Sequence, residues 1–127
     1  TKMHTGMDFA APFGTPIKAA GNGVIEEIGR VGAYGKYIRI RHANGYKTAY
    51  AHMSRFAKGL KKGSKVRQNQ VIGYVGSTGR STGPHLHYEV QKGGRNIDPI
   101  YFFYNDLTPA QFDRILKQAA ASNQSMD

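Results

Sequence analysis

Along most of the chain apolar residues alternate with polar ones or gather in short β-branched runs, and glycine breaks the pattern every few positions. That is the signature of many short strands. The pattern predicts strands near Gly23 to Ile28, Tyr37 to His42, Tyr46 to His52, Val71 to Val75 and His85 to Gln91. Between the second and third, Ala43-Asn44-Gly45 is a hairpin signal, because Asn-Gly accepts the positive φ values of tight turns. Those two strands should therefore pair antiparallel. Gly14-Thr15-Pro16-Ile17-Lys18-Ala19 leading to Gly23-Val24-Ile25 also looks like Gly63-Ser64-Lys65-Val66 leading to Gln70-Val71-Ile72-Gly73, a weak internal repeat. The tail differs. Thr108 can cap a helix with Pro109 at its first position and Gln111 completing a capping box. Phe112, Ile115, Leu116 and Ala119 then fall on one face, which predicts a helix over about 109–121 in a C-terminal segment 101–127, packed on a β domain of residues 1–100.

Length allows one core and one active site, since 127 residues are too few for two independent domains. No apolar stretch approaches the ~20 residues a transmembrane helix requires, and mean hydropathy is negative at -0.53. The chain opens on Thr1, and a candidate metal ligand follows three residues later, so an upstream domain or pro-segment of a longer precursor is expected. The absence of cysteine excludes thiolate metal sites, thiol nucleophiles and disulfides, leaving imidazole and carboxylate to hold any metal. A formal charge of +10 favours an anionic partner such as nucleic acid, anionic lipid or a cell-wall polymer.

The chemistry lies in the histidines, at positions 4, 42, 52, 85 and 87. As a strand, His85-Leu86-His87-Tyr88-Glu89-Val90 puts His85, His87 and Glu89 on one face and Leu86, Tyr88 and Val90 on the other. One face is core and the other a site. Two imidazoles so spaced can both reach one metal, or one can ligate while the other faces the bound water. His4-Thr5-Gly6-Met7-Asp8 adds an imidazole and a carboxylate four residues apart; Gly6, Pro12, Gly14 and Pro16 argue for an extended segment, which places both on one face. Nitrogen and oxygen donors of this kind suit zinc, and three protein ligands leave a tetrahedral zinc one open position for water. Further along, Tyr46, Thr48, Tyr50 and His52 share a face, and His52 ends the strand at a rim, where an imidazole can move protons near neutral pH. His42, just before the hairpin turn, reads as structural.

Three segments resemble the lysostaphin-type (M23, or LytM-domain) zinc metallopeptidases, which cleave peptide cross-links in bacterial peptidoglycan. His4-Thr5-Gly6-Met7-Asp8-Phe9 is similar to the family's His-x-x-x-Asp motif and Tyr50-Ala51-His52-Met53-Ser54 to its central histidine segment. Gly79-Arg80-Ser81-Thr82-Gly83-Pro84-His85-Leu86-His87-Tyr88-Glu89 resembles its closing His-x-His motif with a glycine-rich lead. The resemblance spans about His4 to Pro99 and implies a mainly β fold, a small antiparallel β barrel or sandwich of the duplicated-hybrid-motif type. It implies Zn2+ held by His4, Asp8 and His87, with His52 and His85 as non-ligating catalytic histidines. The run Ser81 to Val90 is most similar to the Gram-negative branch, mostly D,D-endopeptidases cutting the D-alanyl to diaminopimelate cross-link. The implied substrate is thus peptidoglycan stem peptides and their cross-links, and the implied location the periplasm or cell envelope.

Three other readings compete. Degenerate members of the same family have lost metal ligands and activate cell-wall amidases by contact, but this chain departs at none of the five positions. A carrier module of the lipoyl, biotinyl or phosphotransfer kind would share the Gly63 to Gly76 pattern, yet no lysine sits in a Met-Lys-Met hairpin and a phosphohistidine carrier has no need of Asp8. Nucleic-acid binding rests on charge alone, since the aromatic residues form no recognisable RNA-binding motif.

Overall fold

The structure, a computed structural model, describes residues 6–97. His4, the C-terminal segment and its expected helix lie outside the described residues. Nine strands are found among those described: β1 (Met7–Ala10), β2 (Pro16–Lys18), β3 (Gly23–Arg30), β4 (Lys36–Arg41), β5 (Tyr46–Phe56), β6 (Lys65–Val66), β7 (Val71–Val75), β8 (His85–Lys92) and β9 (Arg95–Ile97). Every pairing is antiparallel, so the expected mainly β, antiparallel class holds. Among these residues no helix is long and apolar enough to cross a membrane.

The five expected strands are β3, β4, β5, β7 and β8. At the predicted hairpin, Asn44 and Gly45 take φ of 62° and 79°, and the His42 amide donates to the Tyr46 carbonyl at 2.8 Å. The two look-alike stretches exchange partners. β2 of the first pairs β7 of the second, while β6 of the second pairs β3 of the first. Around those short ladders Ala19 donates to Gln70 and Ile25 to Ser64, both at 2.9 Å, so the two copies clasp each other reciprocally.

Ile25, Ile38, Ile40, Tyr50, Met53, Ile72, Tyr88 and Val90 bury almost completely in the main core. At about 1.5–3 kcal/mol for each large aliphatic side chain buried, this layer is the chief source of stability. A smaller cluster of Tyr37, Ala49 and Ala51, with Val31 and Tyr34 packed on it, forms a separate group. Ala49 stands opposite Glu89 and Ala51 opposite His87. Side chains this small leave room for the larger polar groups beside them.

Strand β5 is the axis of the fold. Its first half pairs β8, ending with Ala51 opposite His87, and its second half pairs β7, starting with Met53 opposite Val75. On its other edge, Lys36 of β4 faces Met53 and Ile38 faces Tyr50, so Ala51 and His52 together stand opposite Tyr37 alone. That extra residue is a β-bulge, and His52 adopts φ of 62° within it.

The bulge corrects one expectation. Tyr46, Thr48, Tyr50 and His52 do not all share a face, because alternation slips by one residue at Ala51–His52. Tyr50 and Met53 both enter the main core, three residues apart, which a regular strand does not permit.

Candidate active site

Strands β1 and β8 bring two of the three expected ligands, Asp8 and His87, together by register. Asp8 lies directly opposite His87 and Ala10 opposite His85. Cross-strand partners share a face, and His87 Nδ1 lies 2.8 Å from Asp8 Oδ1. On the far side of the same ring, His87 Nε2 is 2.8 Å from Glu89 Oε2. A carboxylate cannot donate, so Nε2–H donates the hydrogen bond to Glu89. The imidazole is thereby oriented with Nδ1 toward Asp8.

Glu89 is nearly buried, with 4% of its surface exposed. Burial alone pushes its pKa up, but hydrogen bonds from His87 and Tyr34 outweigh that and hold the carboxyl below its ordinary value. Tyr34, in the short 3₁₀ turn Gly32–Tyr34, donates its hydroxyl to Glu89 Oε2 at 2.9 Å and stacks on the His87 ring at 6.0 Å. Burial, then the bond to Glu89, raise the Tyr34 pKa to about 12, so the phenol stays a donor.

His85 and His52 stand beside this pair, with ring centroids 4.9 Å apart, and His52 is 6.0 Å from the His87 ring. Both are almost completely buried. His85 Nδ1 lies 2.8 Å from the Gly83 carbonyl and 3.1 Å from Ser81 Oγ. His52 Nδ1 lies 2.7 Å from the Thr78 carbonyl. Carbonyls only accept, so each ring is fixed as the Nδ1–H tautomer. When neutral, each keeps a lone pair on Nε2. His85 Nε2 is 3.6 Å from Asp8 Oδ1, which is too far for a hydrogen bond but marks where it points.

Do these groups fit a metal? His87 Nδ1 faces a carboxylate while its other nitrogen is held by a second carboxylate. A ring between two acceptors needs either a second proton or a cation at Nδ1. Carboxylate support on the far nitrogen is also the usual companion of a metal-ligating histidine. Asp8 and His87 therefore fit. With His4 outside the described residues, no group of three metal donors is found among those described. His42, by contrast, belongs to structure. Its Nδ1–H donates to the Asn22 carbonyl at 2.7 Å and its Nε2 lies 2.6 Å from Thr48 Oγ1, which continues to Tyr50.

Residues 2–99 match Peptidase family M23. The chain belongs to that family. It is 54% identical over 99 residues to the DD-carboxypeptidase/endopeptidase Mpg of Neisseria meningitidis, covering 78% of this chain and 22% of that protein. To the peptidoglycan DD-endopeptidase ShyC of Vibrio cholerae it is 49% identical over 98 residues, covering 77% and 22%. The chain thus spans about a fifth of the length of these relatives. Among solved structures it resembles the catalytic domain of lysostaphin from Staphylococcus simulans, with TM-score 0.74, 36% identity and 80% of each chain covered. A zinc containing peptidase from Vibrio cholerae gives TM-score 0.70 and 41% identity, covering 75% of this chain and 29% of that one.

Three contributors went unassigned in the sequence. Glu89 stood on the right face but carried no role. Tyr34 and Thr78 lie in a turn and a loop, where no strand periodicity marks them.

Proposed function

We propose that this M23 domain is a zinc-dependent endopeptidase hydrolysing peptide cross-links of peptidoglycan, as a D,D-endopeptidase on D-alanyl-diaminopimelate bonds in the periplasm of a Gram-negative bacterium. The observation that carries the reading is His87 Nδ1 set 2.8 Å from Asp8 Oδ1, with two further imidazoles beside it whose Nδ1–H groups are already committed to carbonyls. Family membership, relatives named as DD-endopeptidases and a zinc-containing neighbour support it. In this reading His4 joins Asp8 and His87 as the third ligand.

Zinc held there supplies Lewis acidity toward the scissile carbonyl and an activated water at neutral pH. The chain's own residues do the rest. Glu89 and Tyr34 hold the His87 ring, so that Nδ1 needs no reorientation to ligate. His52 and His85 present Nε2 lone pairs, one able to take a proton from the attacking water and the other, once protonated, to donate to the oxyanion. Burial of both rings strengthens these interactions. The net charge of +10 suits the carboxylates of stem peptides.

Mass spectrometry of muropeptides digested by the zinc-loaded protein identifies the bond, and elemental analysis gives the metal. The expectation is one zinc per chain and loss of D-alanyl-diaminopimelate dimers. His87→Ala should lose both metal and activity, while His52→Ala keeps zinc and loses most turnover. Zinc loss in His52→Ala would show the roles to be misassigned. Neither zinc nor cleavage in the unaltered protein would leave the amidase-activating reading instead.

A further inference from the structure

His52 reaches the site against the ordinary geometry of its strand. With Asn44 and Asn69 it is one of three described non-glycine residues with positive φ, a region that few non-glycine residues occupy, and it alone of the three lies within a strand. A histidine there needs its surroundings to hold it. The residue that does so is Thr78, in the loop joining β7 to β8.

Thr78 grips the bulge twice. Its carbonyl accepts the His52 Nδ1–H at 2.7 Å, fixing the ring and its tautomer. Its hydroxyl donates to the carbonyl of Met53, the next residue after His52, at 2.6 Å, and accepts the Lys36 amide of β4 at 3.0 Å. One side chain thus ties together both strands that flank the bulge, while its own backbone orients the imidazole. Lys36 adds a third tie, its Nζ donating to the Ser54 carbonyl at 3.0 Å.

The loop is itself clasped to the turn between β3 and β4. The Arg80 amide donates to the Ala33 carbonyl at 2.7 Å. Gly35 and Gly79 meet there so closely that a Cβ on Gly35 would lie 2.4 Å from the Thr78 carbonyl carbon, and one on Gly79 would lie 2.3 Å from the Gly35 nitrogen. Both glycines also have positive φ, at 66° and 74°. Two features that a larger residue would break therefore converge on the loop that carries Thr78.

We propose that Thr78 is a positioning residue for His52, and that the Gly35–Gly79 contact is the clasp that sets its height over the bulge. The proposal rests on the reading of His52 as a proton-handling residue. It assigns that loop a role distinct from substrate contact or metal binding. Displacing a proton-transfer group by about 1 Å can cost on the order of 100-fold in rate.

The test compares Thr78→Val, which removes the hydroxyl at nearly constant shape, with Thr78→Ser, which restores it, in the full zinc-loaded chain acting on cross-linked muropeptide dimers. Thr78→Val should lower kcat by about 10- to 100-fold with KM within about twofold and zinc content unchanged. Thr78→Ser should recover most of kcat. Nitrogen-15 spectra of the imidazoles supply an independent readout: His52 should show a single Nδ1–H tautomer in the unaltered protein and a mixture in Thr78→Val. Gly35→Ala, whose Cβ would press on both the Thr78 backbone and its hydroxyl, should reproduce both effects. Wild-type kcat in Thr78→Val, an undisturbed tautomer, or a Thr78→Ser loss as deep as that of valine would each overturn the proposal. If the unaltered protein cleaves no muropeptide the proposed function fails, yet the tautomer spectra still decide whether Thr78 holds His52.

Discussion

Glu89→Gln isolates the charge behind His87. The substitution keeps the size of the side chain and an oxygen able to accept from His87 Nε2, but removes the negative charge now 2.8 Å from that nitrogen. A hydrogen bond to a charged group contributes about 1.5–3 kcal/mol and a neutral one about 0.5–1.5 kcal/mol, so the exchange should cost about 1–2 kcal/mol. At about 1.4 kcal/mol per decade, zinc affinity should fall roughly 5- to 30-fold. That overlaps the 10- to 100-fold penalties typical of groups that support metal-ligating histidines. Glu89 is charged at the assay pH, because its carboxyl lies below the ordinary range. The measurement is zinc competition against a chromophoric chelator at pH 7.5, with Glu26→Gln as the control. Glu26 is bound to Arg39 at 2.7 Å and Lys47 at 2.9 Å, so it loses the same net charge elsewhere in the chain. A Glu89→Gln affinity within twofold of the unaltered protein, or an equal loss in Glu26→Gln, would refute local support of His87 by this carboxylate.

Tyr50→Phe should cost about 1–3 kcal/mol in urea unfolding, because the fully buried Tyr50 hydroxyl accepts the Ala20 amide at 2.9 Å and bonds Thr48 at 2.7 Å. Zinc content should not change, since that hydroxyl faces away from the site. Stability should also fall between pH 7.5 and 5.5 in part through His42. Burial lowers its folded pKa below the ordinary 6.5, despite an opposing bond to the Asn22 carbonyl. The unfolded chain therefore takes up protons first, so this contribution is fully present above about pH 6.5 and is lost as pH falls through the lower folded value. Unfolding measured across that window should be flatter in His42→Gln, and an unaltered slope would remove His42 from the account.

Much of the site was readable because β8 is regular. Period-two alternation holds from His85 to Val90, so His85, His87 and Glu89 could be placed on one face and Tyr88 and Val90 in the core from spacing alone. Asp8 was readable as a candidate ligand, while its place opposite His87 is a matter of cross-strand register that spacing within β1 does not contain. β6 has two residues and β9 three, too few to show a period. Thr78 and Gly83 act on the histidines through backbone carbonyls, which every residue possesses. No side-chain pattern can announce such a role. Tyr34 is hidden for a related reason, since a 3₁₀ turn of three residues has no face to count.

His52 shows most sharply how a local irregularity can be a requirement of function. Continued alternation through β5 would send His52 to the core beside Tyr50 and turn Met53 outward. A buried imidazole would then need partners in an apolar layer, and the site would face a thioether. The extra residue opposite Tyr37 reverses both outcomes together, because a shift of one residue exchanges the faces of everything beyond it. It falls where β5 leaves β8 and takes up β7, the point at which the connecting loop between those strands passes. Only there can one loop meet the bulge with Thr78 and the start of β8 with Ser81 and Gly83. His52 and His85, 33 positions apart in the chain, are thus oriented by a single segment of a few residues. Their common geometry follows from that topology, and a change in this loop should disturb both together more readily than either alone.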